Sequence, residues 1–401
     1  MKYSSYKSLF LSILSFIALV VLNSCGGRNV IVTWDNIQQP ISSNNFKLKV
    51  YIENSGSMDG YMCNGSELKD AVYSYVSVLS SYADTTELNY INSNIIPYDN
   101  EIESFIRDLT PQRFRAAGGN RNNSDIAQMF KNILNKTDDN TIAIFVSDCI
   151  LDVPNGKAED FFENRSIAIR NAFTNHLNKH ADLGVEIFQL ESSFEGRYYY
   201  SSGSESLRNV KRPYYMWVIG SKNILAQLNK QVPFSEIRHG VKNYFAFSTN
   251  SILPFDITNI KMIAKNNSCI CTKNSNREYE FLIRTDLRPT LQGNDVLSST
   301  TNFTTITSGI RVNCIMPIND SMYTHLISVI VENTSKSFAE KLTLKPLYVP
   351  VWLEDANDDS GRDIMINIDK TTGVKYLIQG VADAYKKQQQ LTEFKFVVSN
   401  H

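Results

Sequence analysis

The sequence predicts an α/β fold, a doubly wound sheet, followed by a mostly antiparallel β domain. Three observations carry this. Residues 46–52 at their end, and 141–147 along their length, are near-continuously apolar, as strands covered on both faces must be. Between them, residues 67–82 place Leu68, Val72, Tyr75, Val76 and Leu79 at the spacing of a helix with one buried stripe. After about residue 240 the pattern changes to short β-branched and aromatic runs separated by turn residues, which predicts antiparallel strands in a sandwich.

Taken in order, residues 1–24 read as a targeting segment. Lys2 and Lys7 form a positive front and residues 9–22 an apolar run, too short for a span of about 20 residues. Leu22-Asn23-Ser24-Cys25 resembles the bacterial lipobox, which implies cleavage before Cys25 and lipidation of that residue. Residues 25–45 then form a tether, with Val30-Ile31-Val32 able to add an edge strand. Residues 46–232 form the first domain. Within it the expected strands are 46–52, one or two over 88–98, 141–147, 185–190 and 214–219. The expected helices are 67–82, 124–134, 158–180 and 222–231. Strands alternating with helices predict a sheet with helices on both faces. Residues 240–401 form the β-rich domain, with strands near 279–283, 301–307, 326–331, 342–351 and 393–398 and one helix over 373–387.

Composition excludes some functions. The formal charge is −1 over 401 residues; removing Lys2 and Lys7 with the leader leaves −3. No basic run or stripe is present, so nucleic acid is not an expected partner. Besides Cys25 there are five cysteines, Cys63, Cys149, Cys269, Cys271 and Cys314. An odd number leaves at least one free unless two chains pair. A Cys63–Cys149 bridge and buried thiols are both open.

The chemistry concentrates in three segments. Glu53-Asn54-Ser55-Gly56-Ser57 follows the first buried strand, and alternation puts Glu53, Ser55 and Ser57 on one side of an extended chain. Ser124 follows a Gly118-Gly119 pair. Asp148 ends the strand over 141–147. Oxygens converging at strand ends suit a small hard cation, and ligands of open α/β sheets bind at the carboxyl ends of the strands.

These segments, in this order, resemble the von Willebrand factor A domain, whose metal-dependent adhesion site is written Asp-x-Ser-x-Ser, then a Thr, then an Asp after an apolar strand. Residue by residue the motif falls on Glu53, Ser55 and Ser57, on Ser124, and on Asp148. Glu53 replaces Asp, Ser124 replaces Thr, and Cys149 stands where the family often has Gly. The resemblance implies a vWA/Rossmann-like sheet and a bound Mg²⁺, or Mn²⁺ or Ca²⁺. It also implies a protein partner that donates a carboxylate to that cation.

Together with the lipobox, the expectation is a lipid-anchored protein of the bacterial cell envelope, at the outer membrane, that binds a partner in a cation-dependent way and is not an enzyme. Two rival readings stay open: a metal-free scaffold of the same fold that holds an envelope assembly together, and a metal-assisted hydrolase. Against the last, no Gly-x-Ser-x-Gly elbow, phosphate loop or dinucleotide fingerprint occurs. Asp59 and Asp152 read as solvated loop acids. The alternating oxygens of residues 355–361 read as an acidic turn, and His176 with His180 as a solvated helix face.

Overall fold

The computed structural model describes residues 30–35, 45–122, 124–151, 153, 158–200, 203–247, 253–259, 267–271, 273, 275–332, 337–345, 349–361, 364–387 and 391–400. The leader, Cys25 and most of the tether, together with Asp152, lie outside the described residues. Among those described, no helix is long and apolar enough to cross a membrane.

The chain is mixed α/β with several sheets. The strands in order are β1 (Val30–Trp34), β2 (Lys47–Glu53), β3 (Thr85–Ile91), β4 (Ile95–Tyr98), β5 (Thr141–Ser147), β6 (Leu183–Tyr200), β7 (Gly203–Ser221) and β8 (Asn243–Phe247). Then come β9 (Phe255–Thr258), β10 (Ser268–Cys271), β11 (Tyr279–Thr285), β12 (Phe303–Thr304), β13 (Ile310–Pro317), β14 (His325–Val331), β15 (Phe338–Leu344), β16 (Asn357–Asp358), β17 (Thr371–Thr372) and β18 (Thr392–Asn400). The helices are α1 (Glu67–Ser80), α2 (Ile102–Asp108), α3 (Pro111–Ala116), α4 (Ile126–Leu134), α5 (Ala158–Leu177), α6 (Lys222–Gln231), α7 (Asn294–Leu297), α8 (Leu353–Ala356) and α9 (Val374–Ala384).

The first body is a seven-stranded sheet in the order β4-β3-β2-β5-β7-β6-β8. Strands β3, β2 and β5 are parallel. Every residue of β5 is buried, which is why its sequence is apolar without alternation. Helices cover both faces. Leu68, Val72, Val76 and Leu79 of α1, Phe105 of α2, Phe114 of α3 and Leu225 and Leu228 of α6 join one core with Leu48, Val50 and Ile52 of β2. Met129, Phe130 and Ile133 of α4, Ile169 and Phe173 of α5 and Leu377, Ile378 and Val381 of α9 join the other with Tyr51, Ala143 and Phe145.

Two expectations about this body change. The stretches 185–190 and 214–219, read as separate short strands, are the inner halves of one long antiparallel hairpin, β6 with β7, so only the centre of the sheet is parallel. The polar residues between them belong to the hairpin's outer half, which leaves the sheet and carries Phe194 and Tyr198 over the strand ends. Residues 349–361 and 364–385 also do not stay with the β domain: α9 packs in the second core, and Leu151 N–H donates to the Thr372 carbonyl (3.0 Å).

The second body is a sandwich. One sheet has the order β10-β1-β18-β15-β12 and the other β13-β14-β11-β9, and both supply residues to a single core. Strand β1, from the segment expected to be a tether, lies between β10 and β18. Buried Val30, Val32 and Trp34 explain this: with Ile31 and Thr33 partly exposed, they form an alternating strand with one apolar face.

Candidate functional site

The site forms where β2 and β5 end. Their parallel register sets Ile52 beside Val146, so Glu53 at the end of β2 and Asp148 just past β5 arrive at the same edge. Glu53 is fully buried and Asp148 nearly so. The next residues leave the strand: Ser55 lies in the loop, and Ser57 opens a 3-10 turn over Ser57–Met62. Their hydroxyls are 3.0 Å apart.

Ser124 comes from the other side. Asp125 caps α4 by accepting from the Gln128 N–H (3.1 Å), which frees the Ser124 hydroxyl to donate to Glu53 Oε1 at 2.5 Å. Ser147, which sequence reasoning did not single out, donates to Glu53 Oε2. The Ser147 hydroxyl oxygen in turn accepts from the Cys149 N–H (2.7 Å). Cys149 has φ +55°, a conformation usually left to glycine; its sulfur accepts from Trp217 Nε1 (3.3 Å).

All five expected residues are thus brought together. Glu53 touches Ser124 directly and feels the charge of Asp148. Burial, then repulsion from Asp148, pushes the Glu53 carboxyl up to about 7, against the hydroxyls of Ser124, Ser147 and Ser55. Burial also raises Asp148, opposed by Ser57, the Ile150 N–H and Arg212. Asp148 Oδ1 accepts from Ile150 N–H at 3.2 Å. Asp148 Oδ2 is shut off from solvent and has no hydrogen bond within 3.5 Å, although the Ser57 hydroxyl is near enough to favour its ionised form.

Two arginines frame the cluster, and neither was signalled by the motif. Arg212 is 1% exposed. It stacks on Tyr198, 4.5 Å from the ring centre, and donates to the carbonyls of Ile368 (3.1 Å) and Lys370 (3.3 Å). The outer hairpin and the 364–373 segment are thereby fixed beside Asp148. Arg121 donates to Asn54 Oδ1 (2.7 Å) and the Ser55 carbonyl (3.0 Å) and pairs with Asp59. Asp59, which also binds Arg115 at 2.7 Å, is therefore an ion-pair partner that braces the loop. A charged residue beside the buried run Tyr214–Ile219 was the available signal for Arg212. The sequence position of Arg121, between the Gly pair and Ser124, was the signal for that residue.

The donor set suits a small hard cation, which takes oxygen ligands and accepts neutral hydroxyls among them. A hydroxyl that donates its proton to Glu53 keeps lone pairs for a metal, and Asp148 Oδ2 is a buried anionic oxygen without a hydrogen bond. Ser57 and Ser124 are half-buried, so the cluster opens to solvent on their side. Among the described residues no group of three or more His, Cys, Asp or Glu is placed to hold a metal; this cluster has two carboxylates and hydroxyls.

The other candidates close on themselves. Asn357 accepts from the Lys375 N–H at the start of α9 (3.0 Å) and donates to Asp359 (2.8 Å), so these two side chains are engaged in local hydrogen bonds. His180 is held by Asp139 (2.7 Å) and stacks on His176. Cys63 and Cys149 are free thiols, as are Cys269, Cys271 and Cys314. Cys269 and Cys271 are buried in the sandwich core. A scan against family models matches none, and no curated protein matches the chain.

Proposed function

We propose that the first body is a domain of the von Willebrand factor A type that holds Mg²⁺ or Mn²⁺ and, through it, captures a carboxylate of a protein partner. Asp148 Oδ2 and the hydroxyls of Ser55, Ser57 and Ser124 are the ligands. Glu53 is the carboxylate that orients Ser124 and Ser147. The bound cation supplies the positive charge that a partner's carboxylate seeks at a remaining coordination position. The observation that carries the reading is the buried cluster of Glu53, Asp148 and serine hydroxyls with one carboxylate oxygen left without a hydrogen bond. The left-handed backbone of Cys149 adds support, because the resembled motif often has Gly there. In this reading the leader and the motif ending at Cys25 support a lipid anchor at a bacterial envelope membrane, the outer membrane.

One observation favours a second reading. Both oxygens of Glu53 already accept hydroxyl protons, so the same geometry serves a metal-free scaffold. Calorimetric titration of the EDTA-stripped protein with Mg²⁺ and Mn²⁺ separates the two. The first reading requires one saturable site, lost in Asp148→Ala. A folded protein that binds neither ion at millimolar concentration leaves the scaffold.

A further inference from the structure

Outward residues of a sandwich alternate with those of the core and are ordinarily polar. One part of the five-stranded sheet departs from this. Val30, Val32 and Trp34 of β1, Cys269 and Cys271 of β10 and Phe394, Phe396 and Val398 of β18 face the core. The residues between them face outward, and several are apolar. Ile31 stands directly opposite Ile270 of β10. Val397 stands between Thr33 of β1 and Ala339 of β15. Ile270 is 36% and Val397 42% exposed; Ala339 is exposed and Ile31 half-buried. Strands lie about 4.8 Å apart, so this apolar strip crosses four strands over about 14 Å.

A single surface isoleucine or valine is ordinary, whereas a contiguous patch with a charged rim marks an interaction surface. The rim is present. The next outward pair along β15 and β18 is Lys341 opposite Lys395. Both pair with Glu393, Lys395 at 2.7 Å, and the Lys395 side chain stays 65% exposed.

The place of the strip in the sheet argues for its occupant. Strand β1 begins at Val30, opposite Cys271 and Asn400, and Ile31 follows at once. Cys25 is five positions before Val30, and an extended chain covers at most about 18 Å over that length. A lipid on Cys25 therefore keeps this face within reach of the bilayer, where tethering makes a weak second contact effective. The first body joins the sandwich at the other end. The bridge between Lys273 and Tyr279 puts the start of β11 at the Val30 end, and beyond the finish of β11 Gln292 donates to the Ala246 carbonyl (3.1 Å).

We propose that the outward face of β10, β1, β18 and β15 rests on the membrane surface. Ile31, Ile270 and Val397 enter the boundary between headgroups and acyl chains, the depth an apolar face reaches at an interface. Lys341 and Lys395 lay their stems on the same ground and carry their charges to the lipid phosphates. The proposal rests on the lipid anchor read at Cys25.

The test places a tryptophan on the face, Val397→Trp, in the full-length protein purified from membranes and reconstituted in phosphatidylethanolamine–phosphatidylglycerol vesicles. Ile270→Trp is a second reporter. Met322→Trp is the reference: Met322 is 64% exposed in the β13–β14 turn, on the other sheet and at the far end. Wild type supplies the background of the native tryptophans. Emission from positions 397 and 270 should shift to the blue and be quenched by lipids brominated near the top of the acyl chain. Emission from position 322 should remain that of indole in water. Mass spectrometry of each preparation reads the lipid on Cys25. A lipidated protein whose reporters at 397 and 270 are quenched no more than the one at 322 overturns the proposal and leaves the anchor standing. An unmodified Cys25 overturns both. A blue shift that vanishes when the protein is diluted among the vesicles marks a second copy on the face and overturns the proposal as well.

Discussion

Glu53→Gln tests the electrostatics of the site without changing its shape. In the metal-free protein, burial and Asp148 raise the Glu53 carboxyl from its ordinary 4.5 to about 7. At about 1.4 kcal/mol per pH unit, that rise corresponds to about 3 kcal/mol. The sign follows from proton counting. Between pH 4.5 and 7 the folded state binds more protons at this group than the unfolded state, so stability falls as pH rises through that window. Glutamine is the neutral isostere of the protonated acid and has likewise one good acceptor for the two serine hydroxyls. Urea unfolding in EDTA at pH 5 should therefore find wild type and variant about equally stable. At pH 8 the variant should be the more stable by about 3 kcal/mol. Saturating Mg²⁺ should narrow that gap, because the ion offsets the repulsion in the wild type alone. Parallel pH profiles for the two proteins in EDTA would refute the reasoning.

Two further outcomes follow. Gly60 lies under the hairpin, and a Cβ there would overlap the Phe194 ring; Gly60→Ala should cost about 1–3 kcal/mol by overpacking, measured as a lower urea midpoint, and an unchanged midpoint would show that the hairpin gives way freely. Arg212→Leu leaves the carbonyls of Ile368 and Lys370 without their donor, at about 1–3 kcal/mol for each buried group left unpaired; hydrogen exchange should quicken over 364–373 while β5 stays protected, and equal protection in both proteins would remove Arg212 as the clamp.

The legible part of this protein was whatever one element encodes by itself. Strand β5 shows in sequence because it is buried on both faces, and α1 because its stripe runs the full helix. The clustering of these side chains was legible because Glu53, Ser55, Ser57 and Asp148 end or follow strands and Ser124 precedes α4, positions set by local chain direction. What stayed hidden depends on distant partners. The outer half of the β6–β7 hairpin has a largely polar sequence broken by Phe194 and by Tyr198, the first of three tyrosines. Their burial comes from the turn after Ser57 and from Thr372, the latter 3.1 Å from the Tyr198 hydroxyl. The periodicity of α9 gives a helix, yet nothing in a period says which sheet it will cover. Strand β1 was readable as a strand, but its neighbours are some 240 and 370 residues away in the chain.

The most direct measurement is a crystal of the protein soaked in Mn²⁺ and examined at the metal's absorption edge. A single anomalous peak in coordination contact with Asp148 Oδ2 and the hydroxyls of Ser55, Ser57 and Ser124, absent from Asp148→Ala, is the predicted result. Ordered density for all four side chains with no peak between them would contradict the account.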